Sequence, residues 1–322
     1  MDATREREIA EVLGLAQSIR DAVSQVIEGK PEAVDLAITA LLAEGHLLIE
    51  DVPGVGKTML AKSLARAVDC TVRRIQFTPD LLPSDITGVS VYNQGSGNFE
   101  FKPGGVFANL VIGDEINRAS PKTQSALLEA MEERRVSADG VTHELPRPFL
   151  VIATQNPIEM EGTYPLPEAQ RDRFLLRISM GYPSEEAELA MLDHHGEHDP
   201  LEPLRPVTDA AAVLRGIAAV RKVYVHPGVK AYLVAIVNRT RTLPQTKLGA
   251  SPRAGLQLLR AAKARAAMAG RGYVIPDDIT DLAEPTLAHR VLLNSQAHLG
   301  GQSAQELVQA AIRGVPVPTG RR

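Results

Sequence analysis

The chain has few cysteines, few long apolar stretches and no excess of basic residues, and each shortage excludes a class of protein. Its single cysteine, Cys70, cannot form an internal disulfide, which suits a reducing, cytoplasmic location. No apolar run approaches the ~18 residues that cross a membrane, and the charged N-terminus lacks the apolar centre of a signal peptide. The net charge of −4 argues against general affinity for nucleic acid.

Residues 46–68 have the layout of a phosphate-binding loop between a buried strand and an amphipathic helix. Glycine amides at such a loop surround phosphate oxygens, and the helix presents the positive end of its dipole. Lys57 is expected to neutralise the β- and γ-phosphates, and the Thr58 hydroxyl to bind Mg²⁺. Asp51 occupies the position of the pattern's first glycine. The predicted nucleotide-binding residues of the loop are Pro53, Gly54, Val55, Gly56, Lys57, Thr58 and Met59.

A second apolar run, 109–113, ends in the acids Asp114 and Glu115. Carboxylates that follow a buried strand emerge at the carboxyl edge of a parallel sheet, where such sheets bind ligands. Asp114 is predicted to hold Mg²⁺, and Glu115 to orient and deprotonate the attacking water. An acidic helix cap is the alternative for an isolated Asp-Glu pair. After a phosphate loop, the pattern predicts an ATP site.

The order of elements predicts an α/β domain followed by a smaller helical one. Apolar runs alternate with helical patterns, which indicates a parallel sheet covered by helices. The predicted strands are 46–50, 71–77, 109–113, 149–154 and 174–179. Two insertions, 86–105 and 134–148, have the pattern of β-hairpins. We predict an α/β domain over 1–185, a linker over 186–206 and an all-α domain over 207–322, each with its own core.

Four further segments carry a family resemblance: 113–119, 153–157, 167–174 and 249–254. With the phosphate loop, they resemble the MoxR family of AAA+ ATPases, and the motifs follow the family order. The resemblance implies an AAA+ P-loop core with two β-hairpin insertions and a C-terminal all-α lid.

The resemblance also implies roles for side chains outside the loop. Asn156 would contact the γ-phosphate or the attacking water. Arg173 would act in trans on the ATP of a neighbouring subunit, with Arg171 as the competing candidate. Arg253 would contact the γ-phosphate of its own chain. Val26 and Ile27 would contact adenine. A trans arginine implies a ring, and a hexamer is usual in this superfamily.

MoxR relatives are regarded as chaperone-like factors that remodel, mature or activate partner proteins. The resemblance therefore implies Mg²⁺-dependent ATP hydrolysis coupled to such a partner, which could be a separate von Willebrand A-type protein. The hairpins, with Tyr92, Phe99 and Phe101, could face the ring pore, although ordinary cross-strand pairing is the simpler interpretation. The alternatives are a DNA-translocating motor, a chelatase-type motor subunit and a nucleotide-gated scaffold. The histidine-containing segment 193–199 is interpreted as a solvated linker, not a metal site.

Overall fold

A five-stranded parallel sheet forms the centre of the computed structural model, which describes residues 3–52, 54–157, 162–183, 185–186, 188–189 and 200–318. The strands are β1 (Leu47–Glu50), β2 (Val72–Gln76), β5 (Leu110–Asp114), β8 (Leu150–Gln155) and β9 (Leu176–Ile178), in the order β2-β5-β8-β1-β9. All five predicted strands are therefore present, with ends shifted by one or two residues. The predicted parallel sheet is confirmed.

Helices cover both faces of this sheet. They are α1 (Ala3–Ser24), α2 (Pro31–Leu42), α3 (Lys57–Ala67), α4 (Pro83–Thr87), α5 (Pro121–Glu133) and α6 (Glu168–Arg171). Ser120 caps α5 by accepting a hydrogen bond from the Thr123 amide at 3.4 Å. Because β5 and β8 are parallel and adjacent, α5 must run back along the sheet between them, from its carboxyl edge to its amino edge.

Both predicted hairpins are present. The first pairs β3 (Gly88–Asn93) with β4 (Asn98–Pro103), and the second pairs β6 (Arg135–Ala138) with β7 (Val141–Glu144). They contact each other where the Phe101 ring stacks on His143, with centroids 3.9 Å apart. Tyr92 and Phe99 form an edge-to-face pair at 5.4 Å, and the Phe99 side chain is 73% exposed. Phe101 thus serves packing between hairpins, whereas Phe99 remains open to solvent.

The C-terminal region is helical, as predicted. Its helices are α7 (Ala210–Arg221), α8 (Pro227–Thr242), α9 (Pro252–Met268), α10 (Pro276–Leu287), α11 (Ser295–Leu299) and α12 (Ala304–Arg313). Asp209, Ser251 and Ser303 cap α7, α9 and α12 through side-chain oxygens, as their sequence contexts indicate. Helices α10 and α11 were not expected as separate elements. The short antiparallel pair β10 (Thr246–Leu248) and β11 (Leu292–Leu293) departs from the predicted all-α domain.

The apolar interior divides between the two faces of the sheet. One cluster lies under α5 and the hairpins and includes Phe77, Leu127 and Phe174. The larger cluster runs without a break from α1, α2 and α3 into the helices of the C-terminal region. In particular, α1 packs against α7 and α9. The expectation of a separate core for each domain is therefore wrong, because the N-terminal helices share a core with the lid.

Two of the sequence predictions concern residues that the structure does not describe. These residues include more than half of the predicted linker 186–206 and all of the histidine-containing segment 193–199. Within the described residues, no group of histidine, cysteine and carboxylate side chains is arranged to hold a metal ion. In the same part of the chain, no helix is long and apolar enough to cross a membrane.

Candidate active site

The phosphate loop joins β1 to α3 and owes its shape to two glycines. Gly54 and Gly56 have φ angles of +87° and +88°, which residues with a Cβ atom rarely adopt. The second glycine stands at the N-terminal cap, so α3 starts at Lys57. Val55 and Met59 are partly buried against the larger core cluster. Pro53, which the sequence also assigned to the loop, lies outside the described residues.

The Lys57 ammonium group folds back over the loop. Its Nζ donates to the Asp51 carbonyl oxygen at 2.6 Å. Burial lowers the pKa of Lys57, and the negative charges of Asp51, Asp114 and Glu115 oppose that effect. The ammonium group is therefore held at the loop among three acids. A bound polyphosphate could replace the Asp51 carbonyl as the acceptor of its hydrogen bond.

Asp51 replaces a glycine, and its side chain anchors the loop. The carboxylate accepts hydrogen bonds from the Ser179 hydroxyl at 2.8 Å and from the Met180 and Gly181 amides at 2.7 and 2.6 Å. Burial works to raise its pKa, but these bonds, led by the one from Gly181, hold the pKa below its usual value. The negative charge thus points at the chain after β9, where donors satisfy it.

Asp114 joins the loop helix to two strands. The Thr58 hydroxyl donates to the Asp114 carboxylate at 3.1 and 3.2 Å, and the Thr154 hydroxyl donates to it at 3.1 Å. The other side of the carboxylate accepts from Arg74 Nε at 2.6 Å. Asp114 is 5% exposed, so this carboxylate is held in a fixed position among three donors. The contact between Thr58 and Asp114 brings together the two residues predicted to bind Mg²⁺.

Glu115 follows at the end of β5 with an unusual backbone conformation. Its φ of 57° and ψ of 51° are left-handed, a conformation that non-glycine residues adopt mainly under constraint. The Glu115 amide donates to the Thr154 hydroxyl at 3.0 Å, and the carboxylate accepts from Arg118 at 3.1 Å and from Gln76 at 3.2 Å. These bonds hold the second acid beside Asp114 at the carboxyl edge of the sheet.

Sequence reasoning missed four of the side chains that surround the acids: Arg74, Gln76, Arg118 and Thr154. Thr154 follows from the register, since Gly113 pairs with Ala153 and the next residues come together at the sheet edge. Arg74 and Gln76 alternate along β2, the neighbouring edge strand. Polar residues at the carboxyl ends of adjacent predicted strands were the available signal.

Asn156 also lies at this edge. It follows β8 directly, is 6% exposed, and its carbonyl accepts from the Asn117 side chain at 3.3 Å. The segment with Val26 and Ile27 is brought near the loop indirectly, because Lys30 donates to the Tyr182 carbonyl at 2.7 Å. Ile27 is buried in the larger core cluster and Val26 packs against that cluster. The contacts of all three residues with nucleotide remain predictions.

Arg173 and Arg253 meet on one carboxylate. Glu132, near the end of α5, accepts from Arg173 Nε at 2.8 Å and also pairs with Arg253. Burial works to raise the pKa of Glu132, but the two guanidinium groups hold the pKa below its usual value. Both arginines therefore stand on one surface, although 79 positions of sequence lie between them.

This surface is at the amino edge of the sheet, opposite the phosphate loop. The two arginines line a cavity of about 490 Å³ together with His46, which directly precedes β1, whereas the loop follows β1. Arg260 of α9 donates to the carbonyl of Glu44, just before β1, at 2.7 Å, so the first turn of α9 lies at this edge and not at the loop of its own chain. The contact of Arg253 with the γ-phosphate remains a prediction.

The comparisons with known proteins agree with this architecture. A family model described as "ATPase family associated with various cellular activities (AAA)" matches residues 46–176, and one described as "AAA lid domain" matches 238–311. A protein from Cytophaga hutchinsonii that is assigned as an ATPase has a crystal structure with a TM-score of 0.91 and 38% identity, covering 98% of both chains.

Curated relatives extend over nearly the whole chain. The uncharacterized protein YeaC of Bacillus subtilis is 50% identical over 93% of this chain and 93% of its own length. Chaperone MoxR1 of Mycobacterium tuberculosis is 43% identical over 96% of this chain and 84% of its own. Protein MoxR of Methylorubrum extorquens is 31% identical over 92% and 93%. With the phosphate loop, the paired acids and the helical lid in place, the chain belongs to the MoxR family of AAA+ ATPases.

Proposed function

We propose that the chain hydrolyses ATP to ADP and phosphate at the carboxyl edge of the sheet. The observation that carries this is the Thr58 hydroxyl on the Asp114 carboxylate, at 3.1 Å, with Lys57 and Glu115 beside them. Lys57 exchanges its bond to the Asp51 carbonyl for the β- and γ-phosphates, while the loop amides and the N-terminus of α3 bind the remaining phosphate oxygens. Glu115 accepts a proton from the attacking water, and Asn156 orients that water.

A magnesium ion fits the donor set of this site. Thr58 and Asp114 offer a hydroxyl and a carboxylate, the hard oxygen ligands that Mg²⁺ prefers, and they already lie within 3.2 Å of each other. When bound, the ion supplies positive charge to the β- and γ-phosphates. Arg74 must then leave its 2.6 Å contact with Asp114 or share the carboxylate.

The arginines at the amino edge complete the site of a neighbouring subunit. Arg173 and Arg253 are both held by Glu132 on a surface that their own phosphate loop does not share. A guanidinium group spreads its charge over a plane and suits the oxygens of the γ-phosphate. Contact between the amino edge of one subunit and the carboxyl edge of the next is heterologous and closes into a ring, for which we propose a hexamer. The pairing with Arg253 favours Arg173 over Arg171 as the finger.

The remaining predictions form part of the same proposal. The nucleotide-binding domain extends over 1–185, the linker over 186–206 and the lid over 207–322. Val26 and Ile27 are proposed to lie next to adenine, since Lys30 and Tyr182 connect their segment to the chain that anchors Asp51.

We further propose that turnover drives remodelling or activation of a partner protein, such as a separate von Willebrand A-type protein. The support is the relative from Mycobacterium tuberculosis, which is named a chaperone, and the exposed Tyr92–Phe99 pair on the first hairpin. An exposed aromatic pair offers apolar contact area to an unfolded segment. The hairpin tip 94–98 carries no lysine or arginine, which disfavours a DNA-translocating motor.

Two variants of the same site test the proposal. Lys57→Ala should lose nucleotide binding and turnover together. Glu115→Gln should bind a fluorescent ATP analogue as the wild type does, yet turn over at least about 100-fold more slowly, because it loses only the base. Turnover by Glu115→Gln at the wild-type rate would contradict the assignment.

The Glu115→Gln chain also serves as a trap for the partner. Loaded with ATP, it should retain a protein that the Lys57→Ala chain, purified in parallel, does not. Salt-sensitive retention of nucleic acid alone would favour the DNA-motor alternative over protein remodelling.

A further inference from the structure

One arginine of the lid is buried far from the proposed phosphate site. The Arg290 side chain is 2% exposed and donates from Nε to the Asp172 carboxylate at 2.7 Å. It also donates to the Asp172 carbonyl at 3.1 Å, to the Phe174 carbonyl and to the Gln257 side chain. A buried guanidinium group is costly unless its donors are satisfied. Here four of its six hydrogen bonds go to residues 172–175, which include Arg173.

The Asp172 carboxylate accepts a second hydrogen bond from the lid. The Ser251 hydroxyl lies 3.2 and 3.3 Å from the two Asp172 carboxylate oxygens. Ser251 is the N-terminal cap of α9, and Arg253 stands in the first turn of that helix. One carboxylate therefore adjoins Arg173 in sequence and holds the helix start that carries Arg253.

The backbone of the same segment is fixed independently. The Gln257 amide donates to the Asp172 carbonyl at 3.2 Å, and His289 contacts the Phe174 carbonyl at 3.4 Å. Residues of α9 and of the turn after α10 thus hold the Arg173 segment from two sides. The lid therefore holds the backbone and the carboxylate of this segment, while Phe174 packs in the smaller core cluster of the α/β domain.

We propose that Asp172, clamped by the buried Arg290, is a positioning residue that holds Arg173 and Arg253 at one fixed separation. The proposal rests on the trans role of these arginines given above. In a ring, both guanidinium groups would then reach the neighbour's γ-phosphate as one unit that moves with the lid. In this role Asp172 acts only through the two arginines.

Asp172→Asn is the test, because it keeps the shape of the side chain and removes its charge. Displacing a catalytic group by about 1 Å can cost about 100-fold in rate, so we expect turnover to fall about 10- to 100-fold while ATP affinity stays within about twofold. Asp278→Asn is the matched control. Asp278 is another lid carboxylate, 3% exposed, and it accepts hydrogen bonds from Arg271 and from the Ile275 amide at the start of α10. Equal turnover in the two variants overturns the proposal.

A triple variant separates positioning from general damage. If Asp172 acts only through the two arginines, adding Asp172→Asn to the Arg173→Ala/Arg253→Ala chain slows turnover no further. A further loss in the triple variant overturns the proposal. Wild-type turnover by Arg173→Ala would contradict the proposed trans function of this arginine. Loss of turnover in Arg173→Ala together with full turnover in Asp172→Asn would contradict only the positioning role of Asp172.

A thermal melt shows whether Asp172→Asn is folded at the assay temperature. If it is not, a second pair of variants tests the proposal. Ser251→Ala removes both the cap of α9 and the contact with Asp172, whereas Ser303→Ala removes only the cap of α12. We expect Ser251→Ala to lower turnover severalfold beyond Ser303→Ala. Equal turnover in these two variants counts against the positioning role.

Discussion

The Asp114 carboxylate, at the end of β5, accepts hydrogen bonds from one side chain each of β2, β8 and α3. The sequence predicted Thr58, Asp114 and Glu115, because each belongs to a short motif whose neighbours define its chemistry. Thr154, Gln76 and Arg74 were missed because their contacts depend on strand register, which local spacing does not encode. Asp51 shows the reverse case. The sequence shows a charged residue at the loop, and only the tertiary structure shows that three uncharged donors after β9 stabilise its carboxylate by hydrogen bonds.

His46 provides a pH prediction at the scale of one residue. Its Nδ1 accepts from the Val151 amide and its Nε2 lies 3.0 Å from the Met131 carbonyl, so the buried ring is a neutral Nε2–H tautomer. Burial lowers its pKa to about 3. Because the unfolded chain binds the proton first, this residue's contribution to stability is complete above the ordinary histidine pKa and is lost as pH falls towards 3.

The measurement compares urea unfolding of wild type and His46→Gln at pH 7 and pH 5. Glutamine can donate and accept at the same two partners but does not titrate. Wild type should lose about 2 kcal/mol more than the variant between these pH values. His289, also buried with a depressed pKa, is common to both chains and cancels. An equal pH dependence of the two chains would show that His46 is not held neutral.

Among the secondary-structure elements, the central strands were the most predictable. They are apolar on both faces and bounded by turns, which is typical of a buried parallel strand. Helix α10 was missed since Pro285 lies within it, and proline normally ends a helix. The position of α9 against the amino edge was also unpredictable. The motif around Arg253 defines the helix start, but packing of the lid on α1 and α2 decides which edge it faces.

The two hairpins give a prediction at this scale. Phe101 connects them by stacking on His143, whereas Phe99 is 73% exposed. Phe101→Ala should lower the free energy of unfolding by about 1–3 kcal/mol, and Phe99→Ala by less than about 0.5 kcal/mol. Denaturant melts of the two variants provide the comparison. Equal losses would mean that the hairpins do not pack through this stack.

For the whole molecule, the two edges of the sheet have complementary chemistry. The carboxyl edge carries the phosphate loop and the acids, and the amino edge carries Arg173 and Arg253 on Glu132. The larger core cluster joins the lid to α1 and α2, so lid and N-terminal helices share one interior. In the proposed ring, a change in lid position during ATP turnover would also move the two arginines, and it would thereby alter the ATP site of the next subunit.

Mixing two inactive chains tests the central claim of catalysis shared between subunits. Arg173→Ala retains its own phosphate loop and acids, and Glu115→Gln retains its arginines. Random 1:1 mixing places the intact site beside the intact arginine at about one interface in four, so ATP turnover should recover to roughly that fraction of wild type. Arg173→Ala mixed with a chain carrying both substitutions is the control and should stay inactive. Absence of recovery in the first mixture would contradict the account.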